Sequence, residues 1–286
     1  MALGGAGVAV AALVLTWYVS HYVGVVMRAD VSILQGFAQL TRPRLDTVTN
    51  FIASLCSPNR YVVLAAIPIL VALARRRPRV AVMLALIILG ANETTQLLKP
   101  VLAAPRDRVW WDPINDASWP SGHATAAMSL ALCAVIAAPA RRRPAVAAAM
   151  AAFAIAVCYS FLELGWHYPS DVLGGFLVAS AWTLLAMAGL WTYESHRPAG
   201  VVPARIAGES VPGEARPAQV SVGAALLPAL AVLASAAVFA LLLVIARPHQ
   251  VVTYARAHET FMVGAAGIGA LGLMLASGLS LMLRRG

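Results

Sequence analysis

The chain has 286 residues, of which 60% are hydrophobic and 12% charged, with a mean hydropathy of +0.78. That balance excludes an ordinary soluble domain and is the balance of an integral membrane protein. The formal net charge of +9 does not signal nucleic acid, because the arginines cluster between apolar segments and form neither an amphipathic face nor a basic tail.

A membrane-spanning helix needs about 20 apolar residues. Eight segments qualify: 4–26, 59–75, 79–99, 121–139, 144–163, 169–192, 221–246 and 260–283. The first has no charged n-region and no clear cleavage site, so it reads as a transmembrane helix and not as a removed signal peptide. Residues 29–58 are mixed, with Asp30, Arg42, Pro43, Arg44 and Asp46, and read as interfacial helices. Residues 194–220 are rich in Pro, Gly, Arg and Glu without an apolar period, which reads as a flexible linker. The expected organisation is an all-α integral membrane fold: a six-helix transmembrane core over 1–193, a cytoplasmic linker over 194–220 and a two-helix C-terminal transmembrane appendage over 221–286.

Orientation follows from the basic clusters. Arg75-Arg76-Arg77-Pro78-Arg79, Arg141-Arg142-Arg143 and Arg284-Arg285 all fall on one face of an eight-span chain, together with the linker. That face is expected to be cytoplasmic, in a cell (plasma or inner) membrane, with both termini inside. The loops 99–120 and 164–169 then fall together on the opposite, extracytoplasmic face. The last segment carries small-xxx-small pairs, Ala265/Gly269 and Gly272/Ala276, which let helices approach closely; they suit packing onto the protein's own core better than a dimer seam. Cys133 and Cys158 lie in apolar runs, and no cysteine has metal or disulfide spacing, so these two read as small packing residues.

The chemistry-bearing residues gather in the two extracytoplasmic loops. Lys99 is the chain's single lysine among 21 cations, and six residues separate it from Arg106. Asn92, Gln96 and Lys99 share one helix face, and Glu93 lies in the same span. Polar and charged groups inside a membrane face a protein interior or a wet pocket. Pro120-Ser121-Gly122-His123 opens an apolar run. Proline suits a first helical turn, so the N–H groups of Ser121, Gly122 and His123 are expected to stand free at a helix N-terminus, an arrangement that binds anions. His167 and Asp171 are four apart with Pro169 between them. If a helix starts there, the carboxylate reaches back to one ring nitrogen and leaves the other free to attack. Each feature alone also fits a cap or a snorkelling side chain. Trp110, Trp111 and Trp119 suit an interfacial aromatic belt.

Together the three stretches resemble the type-2 phosphatidic acid phosphatase superfamily, whose motifs read K-x6-R-P, P-S-G-H and S-R-x5-H-x3-D. The chain matches them with Lys99 and Arg106, with Pro120 to His123, and with Ser160, His167 and Asp171, in order and at the family's spacings. The resemblance covers about residues 50–192. It implies a membrane lipid phosphatase acting on a phosphomonoester or diphosphate of a polyprenyl or glycerophospholipid. It further implies His167 as nucleophile forming a phosphohistidine, Asp171 as its orienting carboxylate and His123 as the acid for the leaving group. Lys99, Arg106, Ser121 and the Gly122 N–H would hold the phosphoryl oxygens. No metal and no other cofactor is implied, and the expected partners are the lipid phosphate substrate and the bilayer, with no nucleic acid.

The chain departs from the motifs twice. Asp107 stands where the first has Pro, and Phe161 stands where the third has Arg. Phe cannot replace a bidentate phosphate donor. Arg108 is a candidate substitute donor; the alternatives are a pocket tuned to another head group, or a protein that binds lipid without turnover. A phosphotransferase on the same scaffold also remains open. A transporter fits poorly, since no inverted repeat is evident and the polar residues gather at one face. His249, Arg256, His258 and Glu259 fall in the last outer loop and read as a solvated loop.

Overall fold

A computed structural model describes residues 2–40, 46–106, 114–196 and 221–285. Among them all regular structure is helical: α1 (Ala2–Tyr22), α2 (Gly24–Ala38), α3 (Asp46–Ser54), α4 (Pro58–Ala74), α5 (Pro78–Val101), α6 (Gly122–Ala137), α7 (Arg143–Glu163), α8 (Pro169–Ser195), α9 (Val222–Ala246), α10 (Pro248–Ala257) and α11 (Glu259–Arg285), with one 3-10 turn before α7. Proline occupies the first turn of α4, α5, α7, α8 and α10, where its missing N–H costs nothing. The segments read from the sequence as spans are helical, except that the first, 4–26, is broken at Val23 between α1 and α2.

Six described helices are long and apolar enough to cross a membrane, and α3 with α4, bent by 57°, would make a seventh. The 121–139 segment differs from expectation. It forms α6, only 16 residues long, or about 24 Å at 1.5 Å per residue, which is short of a full span. All of its residues except Gly122, His123 and Ala134 are buried, because α5, α7 and α8 pack around it. A helix enclosed by protein has no need to match the bilayer thickness, and this one is the core's central post.

The 29–58 segment also differs. Asp30, Leu34, Gly36 and Phe37 of α2 are buried, and α2 packs on α11, α7 and α8, so this stretch is part of the protein interior and not a purely interfacial strap. α8 comes close to the backbone of α6 at Gly175. A Cβ there would lie 2.7 Å from the Ser121 carbonyl oxygen and 2.8 Å from Thr125 N, so only glycine lets α8 meet α6 at this height.

The small residues of α11 face the protein's own core. A Cβ on Gly272 would lie 3.1 Å from Ile155, one on Gly269 would lie 3.3 Å from the Tyr159 hydroxyl, and that hydroxyl donates to the Ala265 carbonyl. By contrast, no residue of Leu226–Ala246 in α9 is buried. Cys56, Cys133 and Cys158 are buried free thiols. At one end of the bundle the Arg143 guanidinium donates to the Ala138 carbonyl and, at 3.2 Å, to the Leu283 carbonyl, with Arg75 and Arg77 in electrostatic reach. α5 and α7 start at this arginine-rich end. Their 24 and 21 residues deliver Lys99 and the 164–171 loop to the opposite end, roughly 30–36 Å away.

Candidate active site

The turn that presents His167 is built by the end of α7. Gly165 has φ 74°. The Gly165 N–H donates to the Leu162 carbonyl, and the Trp166 N–H donates to the Phe161 carbonyl at 3.0 Å. This paired closure of a helix C-terminus needs a left-handed residue at that point, hence the glycine. His167 and Tyr168 then lead into α8, where Tyr168 is the N-cap and Asp171 lies in the first turn.

Asp171 is fully buried. Its Oδ2 lies 3.1 Å from His167 Nδ1 and accepts the Tyr168 N–H at 3.1 Å, while Oδ1 lies 2.7 Å from Arg106 Nη2. A buried carboxylate with that many donors is fixed in place and fixes the imidazole in turn, leaving Nε2 as the lone-pair nitrogen. Arg106, whose side chain is 5% exposed, also donates to Ser118 Oγ at 2.6 Å and to Ser170 Oγ at 3.0 Å, and its guanidinium lies 4.2 Å above the Tyr168 ring. Both terminal nitrogens are therefore committed to protein partners. The motif role of an open phosphate donor is not what this arrangement displays; Arg106 here is the ion-pair partner of Asp171.

The Ser121 N–H is not free either, since it donates to the Asp171 backbone carbonyl at 3.0 Å. That bond joins the second motif to the third across the Gly175 contact. Ser121 Oγ caps α6 by accepting the Ala124 N–H at 3.3 Å. The first-turn N–H groups of Gly122 and His123 remain without a helical carbonyl acceptor. Around them stand Lys99 and Gln96: a Cβ on Gly122 would lie 3.3 Å from Gln96 Nε2 and 3.9 Å from Lys99 Nζ. Glycine thus keeps open the space into which the ammonium points. Among the described residues Lys99 makes no hydrogen bond or ion pair.

His123 and His167 face each other with ring centroids 6.4 Å apart. Phe161 is fully buried and lies 5.9 Å from the His123 ring and 5.3 Å, edge-on, from the His167 ring. At the position where the motif has Arg, an apolar wall braces both imidazoles. Trp166, 5.7 Å from His123, closes the outer side.

A cavity of about 580 Å³ opens between α4, α5 and α6, with His123 in its lining; the His167 ring lies 6.4 Å from that of His123, centroid to centroid. Its polar end is lined by His123, Gly122, Lys99, Gln96, Glu93 and Asn92, and its far end by Ile69, Ala85 and Leu89. Asn92 donates to the Tyr61 hydroxyl and the Ile88 carbonyl; Glu93 lines the cavity without bridging to Lys99. Among the described residues no three His, Cys, Asp or Glu side chains converge as a metal site requires.

Arg108, Asp107, Trp110 and Trp111 lie outside the described residues. Trp119 is 1% exposed and packs against Gly174, at 2.8 Å from the position of a Cβ there; it is an interior residue and not part of an interfacial belt. Near α10, Tyr254 stacks on His258 and its hydroxyl donates to the Gly36 carbonyl, which docks α10 onto α2. Three residues of the polar network were not singled out from the sequence: Asp30, Ser118 and Ser170. Ser170 sits inside the third motif's run, and Asp30 stood in the sequence only as one charged residue of the mixed 29–58 segment.

The long apolar helices define a multi-pass membrane protein with a histidine–carboxylate pair at one end of its bundle. The family model described as the PAP2 superfamily matches residues 6–195, and the chain belongs to that superfamily. Among solved structures it is similar to the "first transmembrane PAP2 type phosphatidylglycerolphosphate phosphatase from Bacillus subtilis", with a TM-score of 0.57 and 20% identity over 68% of this chain and 99% of that one. That likeness is one of fold. No curated protein matches the chain significantly.

Proposed function

We propose that the protein is a metal-independent lipid phosphate phosphatase working through a phosphohistidine on His167. The observation that carries the reading is the pairing of His167 Nδ1 with the buried Asp171 at 3.1 Å; His123, 6.4 Å from the His167 ring, joins that pair to a cavity whose polar end holds Lys99 and Gly122. Nε2 of His167 attacks phosphorus, and Asp171 stabilises the imidazolium that forms. Lys99 and the N–H groups of Gly122 and His123 hold the phosphoryl oxygens, where positioning and charge neutralisation do most of the work. Ser121 acts as the helix cap that aims these N–H groups, and Arg106 as the holder of Asp171. His123 protonates the leaving oxygen, then takes a proton from the water that hydrolyses the phosphohistidine.

The lipid tail occupies the apolar end of the cavity, which opens between helices. The substrate is a phosphomonoester or diphosphate of a glycerophospholipid or polyprenol. Because the arginine-rich end of the bundle is the cytoplasmic one by charge, the site lies on the extracytoplasmic side and both termini lie inside the cell. The core over 1–193 carries the reaction, and the helices after the 194–220 linker support it through α11. Phe161 in place of a guanidinium favours a second reading, a lipid-phosphate binder without turnover.

The test is phosphate release by purified protein in detergent with EDTA. A polyprenyl diphosphate, phosphatidylglycerophosphate and phosphatidic acid serve as substrates, with His167→Ala as control. Release lost in the variant supports the phosphatase. Saturable binding with no release supports the second reading.

A further inference from the structure

Arg106 has a second carboxylate partner, which the three motifs do not contain. Asp30 on α2 is buried, with its side chain 7% exposed, and its Oδ2 lies 3.6 Å from Arg106 Nη1. Its Oδ1 accepts the Ser170 N–H at 2.9 Å, and its Oδ2 accepts the Ser170 hydroxyl. That same hydroxyl accepts from Arg106 at 3.0 Å. Asp30 is thus bonded to the first turn of α8, the turn that carries Asp171, and to the guanidinium that holds Asp171.

The charges make this more than a brace. Arg106 alone would neutralise Asp171, and a neutralised carboxylate does little for a developing imidazolium. With Asp30 ionised, the buried group of Asp30, Arg106 and Asp171 carries one net negative charge, and His167 balances it when it becomes cationic. We propose that Asp30 is a positioning residue of the site, which holds Ser170 and Arg106 and keeps an uncompensated negative charge under His167. The inference rests on the phosphatase reading only for its kinetic consequence.

Burial pushes the Asp30 carboxyl up to about 6, against the pull of Arg106 and the Ser170 donors; the charged form is favoured by the Ser170 N–H at 2.9 Å and the Arg106 guanidinium at 3.6 Å. The charged groups facing Asp30 are Arg106 and Asp171. α1 adds His21, within reach of Arg106 and Asp171, and the Glu163 carboxylate of α7 accepts from Thr49 on α3.

The test uses the full chain in detergent and the variant Asp30→Asn, which keeps the shape and removes the charge. Loss of a nearby negative charge lowers the proton affinity of an imidazole. The His167 titration midpoint, read by NMR of 15N-histidine-labelled protein, is therefore expected to move to lower pH. kcat is expected to fall about 10–100-fold, the scale of losing a partner behind a first-rank ligand, with KM within about threefold. The acidic limb of the kcat profile moves down with the midpoint. Asp30→Glu should restore the midpoint in part. A folded Asp30→Asn protein with an unmoved midpoint overturns the proposal, since a purely structural role would reduce only the folded fraction. If Asp30→Asn does not fold, Ser170→Ala replaces it: it cuts the hydroxyl link alone and should lower the midpoint by less, and no movement overturns the proposal. If the wild type releases no phosphate, the phosphatase reading fails while the titration still decides the role of Asp30.

Discussion

On the Nδ1 side of His167, Asp171, Arg106, Ser170, Ser118 and Asp30 form a closed knot of buried groups joined at 2.5–3.6 Å; around His123, by contrast, Lys99, Gln96 and the first turn of α6 border a cavity of about 580 Å³. The difference teaches how one site divides two tasks. Orienting an imidazole needs dipoles and charges that do not move, so that side is packed and fully bonded. In the proposed reaction, receiving a phosphate needs donors left unmatched until the substrate arrives; the cavity side has an ammonium with no hydrogen bond or ion pair among the described residues and a glycine where a side chain would fill the space.

The most severe way to break the comparison is to remove what both sides serve. His167→Ala is expected to lower phosphate release by at least about 10⁴-fold, and acid-quenched protein should no longer carry an acid-labile phosphoryl group. Retained labelling would place the nucleophile elsewhere. Next comes the closed side. Asp171→Asn removes the charge and offers the wrong hydrogen-bond partner to Nδ1, and it should reduce kcat by about 10³–10⁴-fold with little change in KM. On the open side, Lys99→Met leaves the cavity in place without its cation. A loss of about 10²–10³ in kcat/KM is expected, and an effect as large as that of Asp171→Asn would erase the distinction between the two sides.

The joint between the sides is tested by Gly175→Val, which drives a side chain into the Ser121 carbonyl. Thermal unfolding in detergent should show a loss of about 1–3 kcal/mol, with activity per folded molecule also reduced because the Ser121–Asp171 bond shifts. The smallest effect is expected at the shared wall. Phe161→Leu keeps an apolar side chain beside both histidines and should cost about 1 kcal/mol or less, with activity within about tenfold of the wild type. A gain in activity would instead mean that the phenyl ring obstructs the phosphate.

Much of this site was legible in the chain. Lys99, Gly122, His123, His167 and Asp171 stand in local patterns, and local patterns survive folding: the i, i+4 spacing of His167 and Asp171 forces proximity once α8 starts at Pro169. What misled were groups whose partners are remote in sequence. Arg106 reads as a phosphate donor from its motif, yet its partners lie 64, 65 and 76 positions away, at Ser170, Asp171 and Asp30. The N–H of Ser121 reads as free at a helix start, yet the carbonyl that takes it belongs to Asp171. Trp119 reads as an interfacial aromatic until Gly174 shows the hole it fills.

By itself, then, the sequence determined that the chain is a helical membrane bundle of the PAP2 superfamily, where most of its helices run and which motif residues to look for. Hydropathy, proline positions and motif spacing act over a few turns of one helix and need no neighbour to be read. Only the tertiary structure decided that α6 is a short enclosed post and that α2 enters the interior. It alone decided that Asp30 closes the ion-pair chain behind His167. Each of these depends on which helix faces cover one another, and a buried charge takes its partner from whatever element the packing brings within reach.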